Sequence, residues 1–91
     1  MSAILFPLGQ VVATTAALEV LESSGIPSAQ LLARHQSGDW GEVPHEDARE
    51  NERSVKQGFR IISSYVAGDE SIWIITEADR SSTCLLLPSE Y

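Results

Sequence analysis

The sequence predicts an α+β domain in which three short helices pack on an antiparallel sheet of three to four strands. The first observation is that the bulky apolar runs, residues 72–75 and 84–87, follow a third candidate strand at 60–66, as in a C-terminal β-meander. The second is that the preceding segments carry apolar residues at helical spacing and end at glycines. A chain of 91 residues has room for one core, so residues 1–91 are expected to form a single domain.

The N-terminal part is predicted to contain one strand and two helices. Residues 8–13 are expected to form a short edge strand, because the proline in front of them has no amide to donate to a ladder. Residues 14–24 begin with threonines that suit the N-cap of a helix, and Gly25 suits its C-terminal end. Residues 27–38 predict a second helix, which places His35 on the same face as two leucines.

A tight loop and a third helix come next. Residues 37–44 contain two glycines and a proline, where Asp39 is expected to bind backbone amides and Trp40 to cover the core. Residues 44–57 predict a helix whose first turns are acidic. Asn51 falls on its inward face, so we expect it to bind the backbone of this loop or of a strand end.

The sheet is predicted from the C-terminal residues. Strands at 60–66, 72–75 and 83–87 form an antiparallel meander, to which residues 8–13 add a fourth strand. Residues 67–70 are a turn with glycine at the position that needs a positive φ.

The polar connection 76–82 has a charged tip. Charges at such a tip prevent sheets from associating edge to edge, and they also offer two ion pairs. Arg80 with Asp39, or Arg60 with Asp79, is expected to hold the neighbouring loop, and the sequence does not decide between the two pairs.

The charge balance is strongly acidic. Thirteen Asp and Glu residues stand against six Lys and Arg residues, which gives a net charge of −7. Such a surface repels phosphate groups, so direct binding of nucleic acid is disfavoured. It suits docking onto a basic surface of another molecule, whereas the alternative is that the charge only keeps the protein in solution.

Cysteine content and the N-terminus predict a cytoplasmic location. The single cysteine, Cys84, excludes an internal disulfide and fits a reducing compartment. Residues 1–10 lack the basic segment of a signal peptide. No apolar run approaches the ~20 residues of a membrane span, so no membrane association is expected.

Metal ligands and nucleophiles lack a specific pattern. His35, Asp39, His45, Glu46 and Asp47 are ligand types within a short span, but they lack the paired spacing of a zinc site. No metal or other cofactor is therefore expected. No G-x-S-x-G motif occurs and no serine has a base beside it, so no catalytic residue is assigned and a non-enzymatic function is expected.

The carboxylates between residues 39 and 52 are the candidates for partner binding. Spaced acids on a rigid loop and helix imitate the phosphates of a duplex, although Arg49 and Arg53 interrupt the series. A solvated helix face is the alternative reading. The predicted partner-binding residues are Asp39, Trp40, Glu42, Glu46, Asp47, Glu50, Glu52 and Asp79.

Two other functions stay open. One is a small hydrolase or nuclease centred on His35, Asp39 and Arg60, although such an enzyme needs more cations to hold RNA than this chain has. The other is a homodimeric structural module that associates through an exposed face or edge of the sheet.

Three segments and one asparagine carry a resemblance to a family. RHQSGDWG at 34–41, GFRIISSY at 58–65 and WIITEADRSSTCLLLPSEY at 73–91, together with Asn51, resemble a family of short proteins carried by bacteriophages, plasmids and other mobile elements. The resemblance carries over no catalytic residue. It implies an accessory role in the host bacterial cytosol, with a host protein or protein–nucleic-acid complex that has a basic surface as the partner. The expected function is counter-defence as an anti-CRISPR-like inhibitor of a host nucleic-acid-handling protein.

Overall fold

The protein is an α+β domain, as predicted. The computed structural model describes residues 3–91. The elements follow in the order β1 (Gln10–Ala13), α1 (Thr15–Ser24), α2 (Ser28–Gln36), α3 (His45–Gln57), β2 (Ile61–Ala67), β3 (Glu70–Thr76), β4 (Ser82–Leu86) and a 3₁₀ turn (Pro88–Glu90).

The four strands form one sheet in the order β1-β4-β3-β2. The meander of β2, β3 and β4 is antiparallel, as predicted. However, β1 pairs parallel to β4, with Gln10 opposite Ser82 and Ala13 opposite Leu85, so the prediction of a purely antiparallel sheet is wrong. The physical reason is that β1 and β4 are joined through all three helices, and a connection of this length allows either strand direction.

Gly9 sets the entry into β1. Its φ is 64°, and a Cβ at this position would overlap the carbonyl oxygens of Arg80 and Ser81. A glycine is needed here because the chain turns and passes close to the end of the β3–β4 hairpin at the same residue.

Helices α1 and α2 cover one face of the sheet, which we call the first face. Thr14 caps α1 by accepting the N–H of Ala17 at 3.1 Å. Gly25, at φ 68°, ends the helix as predicted. The main core cluster lies between these helices and the sheet and consists of Ala17, Leu21, Leu31, Tyr65, Ala67, Ile72, Ile74 and Leu85.

A second core cluster lies under α3. Phe6, Trp40 and Ile61 are buried there, and Ala48 and Val55 of α3 pack against them. The side chain of Trp40 is only 5% exposed, which confirms that it covers the core. The two clusters together place α1 and α2 over the first face and α3 beside β2.

The outer edge of β2 is closed by side-chain and loop contacts. The Nδ2 group of Asn51 donates to the carbonyl of Ile62 at 2.8 Å, and the N–H of Ile62 donates to Asn51 Oδ1 at 3.2 Å. Ser64 donates its N–H to the carbonyl of Trp40 at 3.1 Å and accepts the N–H of Glu42 at 2.6 Å. The expectation that Asn51 binds backbone at a strand end is therefore confirmed.

Gly41 permits the close approach of this loop to β2. It has a φ of 74°, and a Cβ there would overlap the carbonyl oxygen of Ser64. Any larger residue at position 41 would push the loop away from the strand edge.

Arg80 ties the β3–β4 hairpin to the end of α3. Its guanidinium donates to the carbonyls of Ser54 at 2.8 Å, Phe59 at 2.7 Å, and Glu77 and Ala78 at 3.1 Å each. Ser54 lies in the last turn of α3, where the helix dipole favours a positive charge, and its carbonyl also accepts the N–H of Gly58 at 2.9 Å.

Neither ion pair predicted for this hairpin is among those of residues 3–91. The predictions of Arg80 with Asp39 and of Arg60 with Asp79 are wrong, because Asp39 pairs with an arginine of α2 and Arg60 pairs with Glu77. Arg80 instead donates to backbone carbonyls, which surround its guanidinium.

We expect Asn51→Ala to lower the free energy of unfolding by about 2 kcal/mol, because the N–H and C=O of Ile62 both lose their partner at a strand edge. The melting temperature should fall by roughly 10 °C. Arg49→Ala, at an exposed position of the same helix, is the matched control and should change stability by less than about 0.5 kcal/mol. Equal stability of the two variants in urea unfolding would contradict this role of Asn51.

Candidate functional site

The second face of the sheet, opposite α1 and α2, is only partly covered. Along β2 the residues alternate between buried and more exposed positions, which follows from the two-residue period of a strand. The register places Ile62 opposite Ile75 and Ser64 opposite Trp73 on this second face. Since α1 and α2 pack on the first face, Ile62, Ser64 and Trp73 remain partly accessible.

A groove of about 600 Å³ lies where this second face meets α3. Its volume falls in the range of ligand sites, which is roughly 300–1,000 Å³. We call it the acidic groove. Its lining residues are Glu42, Val43, Pro44, Asp47, Glu50, Asn51, Ser54, Phe59, Arg60, Ile62, Ser64, Trp73 and Tyr91.

The α3 side of the groove follows from helical spacing. Asp47, Glu50, Asn51 and Ser54 are separated by three or four residues and therefore lie on one face of α3. Asn51 holds this face against β2 through its hydrogen bonds to Ile62. The carboxylates of Asp47 and Glu50 are thereby brought beside the sheet.

The opposite side of the groove is aromatic. The rings of Trp73 and Tyr91 meet edge to face, with centroids 5.4 Å apart and planes at 63°. Phe59 and Tyr91 are large apolar groups that remain 51% and 65% exposed. Arg60 donates from Nη1 to the hydroxyl of Tyr91 at 3.1 Å, which anchors the C-terminal ring. The groove thus combines exposed aromatic surface with carboxylates.

The charges of the groove do not cancel. Glu42, Asp47 and Glu50 face one cation among the lining residues, Arg60, and that guanidinium already lies 3.5 Å from the carboxylate of Glu77. Glu50 also lies 3.3 Å from Arg53, but both side chains are about 60% exposed, so solvent weakens this pair. The groove therefore carries net negative charge.

The structure brings three of the predicted partner-binding residues into this groove, namely Glu42, Asp47 and Glu50. Glu46 precedes Asp47 on α3 and is exposed. These four carboxylates form one acidic surface across the start of α3 and the loop before it.

The other predicted partner-binding residues have contacts elsewhere. Trp40 is buried, and its Nε1 donates to Glu52 at 3.2 Å. Asp39 accepts from Arg34 at 2.7 Å, and Asp79 accepts a backbone N–H within its own hairpin turn at 3.0 Å. None of these residues lines the acidic groove.

Asp39 holds the loop that closes β2. The hydrogen bond from Arg34, followed by the N–H of Gly41, holds the pKa of this carboxyl below its usual value. Arg34 and Asp39 are 41% and 49% exposed, so the pair contributes about 0–1 kcal/mol. The Tyr65 hydroxyl donates to the carbonyl of Asp39 at 2.7 Å. Asp39 therefore has a complete structural role.

His35 lies at the centre of a buried chain of polar groups, which we call the His35 network. Its Nδ1 lies 2.6 Å from the hydroxyl of Ser63, and its Nε2 lies 2.9 Å from the hydroxyl of Thr76. Thr76 in turn lies 2.7 Å from the hydroxyl of Thr83, which donates to the carbonyl of Leu8 at 2.7 Å. The side chains of His35, Ser63, Thr76 and Thr83 are all fully buried.

The end of this chain determines the histidine tautomer. The Leu8 carbonyl only accepts, so Thr83 donates to it and accepts the hydroxyl proton of Thr76. Thr76 consequently accepts from His35 Nε2–H, and His35 Nδ1 accepts from Ser63. Both ring nitrogens of His35 therefore have hydrogen-bond partners inside the core.

The three residues of the alternative hydrolase or nuclease centre, His35, Asp39 and Arg60, each bind different partners and do not form one site. Burial, followed by the positive charge of Arg80, lowers the pKa of His35 to about 4. Asp39 is bound to Arg34, and Arg60 to Glu77 and Tyr91. A general base has to reach a proton of the substrate, whereas His35 is closed off from the surface.

Sequence reasoning missed the aromatic part of the groove. The two-residue period of β3 contained a signal for Trp73, because it puts this residue on the face opposite Ile72 and Ile74. Tyr91 lies beyond the last strand, and its contact with Trp73 has no counterpart in the local sequence.

Comparison of the chain with protein-family models, curated proteins and solved structures gave no match. The resemblance to mobile-element proteins therefore stays a prediction.

In the part of the chain from residue 3 to residue 91, no three His, Cys, Asp or Glu residues are grouped as metal ligands. The helices of this same part are too short or too polar to cross a lipid bilayer.

We expect the burial of neutral His35 to make the stability depend on pH. The folded protein takes up the proton only near pH 4, whereas the unfolded chain does so near 6.5. The stabilisation is complete above pH 6.5 and is lost as the pH falls towards 4, by up to about 3 kcal/mol. Urea unfolding at a series of pH values measures this loss.

Two glutamine variants control this experiment. His35→Gln removes the titrating group, so the decrease of stability between pH 6.5 and about 5, above the range of most carboxylates, should flatten. His45→Gln, at an exposed position, should leave the decrease unchanged. The assignment is wrong if wild type and His35→Gln lose stability in parallel.

Proposed function

We propose that this protein is a non-enzymatic binding domain that docks through the acidic groove onto a basic surface of a partner protein. The observation that carries the proposal is the convergence of Glu42, Asp47 and Glu50 on one open groove that also has exposed aromatic surface. Interfaces commonly combine such an aromatic centre with a charged rim.

Electrostatics favour a basic partner. The protein carries a net charge of −7. The three carboxylates of the groove, together with that of Glu46, concentrate part of this charge on one side. Complementary charge increases the rate of encounter and rejects partners of like charge. Nucleic acid itself is rejected by the same field, because its backbone is negative.

A protein that handles nucleic acid provides the matching surface. Such a protein needs a basic patch for phosphates, and an acidic domain seated on that patch excludes the nucleic acid. Inhibition by occlusion therefore needs no catalytic residue in the inhibitor. The proposal extends to a counter-defence role in a mobile element, which is supported by the resemblance of the segments at 34–41, 58–65 and 73–91.

We expect the triple variant Glu42→Gln, Asp47→Asn, Glu50→Gln to bind its partner at least about tenfold more weakly, because it removes the charges of the groove and keeps the side-chain shapes. Tagged wild type and variant are incubated with a bacterial lysate and washed at low and at high salt. Mass spectrometry then identifies the basic nucleic-acid-binding proteins that wild type retains and the variant loses.

A second triple variant is the matched control. Glu19→Gln, Asp69→Asn, Glu70→Gln removes the same number of charges from exposed positions that line a different part of the surface. It should retain the partner. If the two triple variants lose the partner equally, only net charge matters, and if the groove variant retains it, the docking surface lies elsewhere.

A further inference from the structure

We propose that the acidic groove recognises an arginine side chain of the partner together with an apolar residue next to it. The inference rests on the proposed function and names the part of the basic surface that enters the groove. It is carried by the combination of aromatic rings and carboxylates in one cavity.

Arginine is the cation that binds well to aromatic rings and to carboxylates at the same time. Trp73 and Tyr91 line the groove together with Asp47 and Glu50. The guanidinium is planar and weakly hydrated, so it stacks on aromatic rings and forms paired hydrogen bonds with a carboxylate. The ammonium of lysine is compact and strongly hydrated, so it gains less from the rings.

The protein itself contains this arrangement at another place. The guanidinium of Arg34 lies 4.6 Å from the ring centroid of Tyr65, and its Nε donates to Asp39 at 2.7 Å. One guanidinium thus contacts an aromatic face and a carboxylate at once. The acidic groove offers aromatic rings and carboxylates too, and among residues 3–91 no arginine contacts one of its rings face-on and one of its carboxylates at once. Arg53 lies against Glu50 only, and Arg60 is bound to Glu77 and to the Tyr91 hydroxyl.

The apolar lining accounts for the second part of the proposal. Val43, Phe59 and Ile62 line the groove, and Phe59 is 51% exposed. Covering this surface releases water and adds affinity in proportion to the apolar area. The cavity of about 600 Å³ has room for an aliphatic side chain beside the guanidinium. The occupant is therefore an arginine-containing segment with an aliphatic neighbour.

Peptides that differ only in the cation test the inference. A short fluorescein-labelled peptide in which arginine and leucine alternate is compared with copies that have lysine or citrulline in place of arginine. Fluorescence anisotropy with the full chain measures each Kd. The arginine peptide should bind about tenfold more tightly than the lysine peptide, and the citrulline peptide should bind most weakly.

Two variants of Tyr91 locate the selectivity. Tyr91→Leu removes one of the two rings, at an exposed position, and it should lower the ratio of the two Kd values. Tyr91→Phe keeps the ring and loses only the hydrogen bond from Arg60, so it should keep the ratio. Melting temperatures confirm that both variants fold.

The outcomes separate this inference from the proposed function. Equal affinity for arginine and lysine peptides, or no binding of either, overturns the arginine preference. If the variant Glu42→Gln, Asp47→Asn, Glu50→Gln still loses its partner from the lysate in that case, the proposed function stands. If the citrulline peptide binds as well as the arginine peptide, charge has no part in the groove, and both proposals fail.

Discussion

The His35 network is the buried interaction on which the other elements depend. A buried imidazole or hydroxyl without a partner costs about 1–3 kcal/mol, so the network is stable only when all its members are in place. It joins α2 to β2 and β3 through Ser63 and Thr76, and it continues through Thr83 to the carbonyl of Leu8. This chain of contacts fixes α2 on the first face and holds the segment that leads into β1 beside β4.

The acidic groove follows from that arrangement together with the closure of β2. Because α1 and α2 occupy the first face, the second face keeps Ile62 and Trp73 accessible. Asn51 then satisfies the edge of β2 and fixes the rotation of α3 beside it. This rotation turns Asp47 and Glu50 towards the exposed aromatic side chains. A contact that stabilises the fold thereby places charge at the proposed docking surface.

Local signals in the sequence predicted the elements but not the way in which distant segments meet. Thr14 and Gly25 mark the ends of α1 because capping depends on neighbouring backbone groups. The direction of β1 relative to β4 depends on a connection through three helices, and no local pattern encodes it. Part of the groove was predictable, since Asp47 and Glu50 are neighbours on α3. Its aromatic side was not, because Tyr91 meets Trp73 only in the folded chain.

The most direct test of the groove as the docking surface uses the two tryptophans of the chain. In ¹⁵N-labelled protein titrated with the arginine–leucine peptide, the indole N–H signal of Trp73 should shift in the groove. The signal of Trp40, which is 5% exposed and bonded to Glu52, should stay in place. Peptide binding that shifts Trp40, or that shifts neither indole, would contradict the account, because the occupied surface would then lie outside the acidic groove.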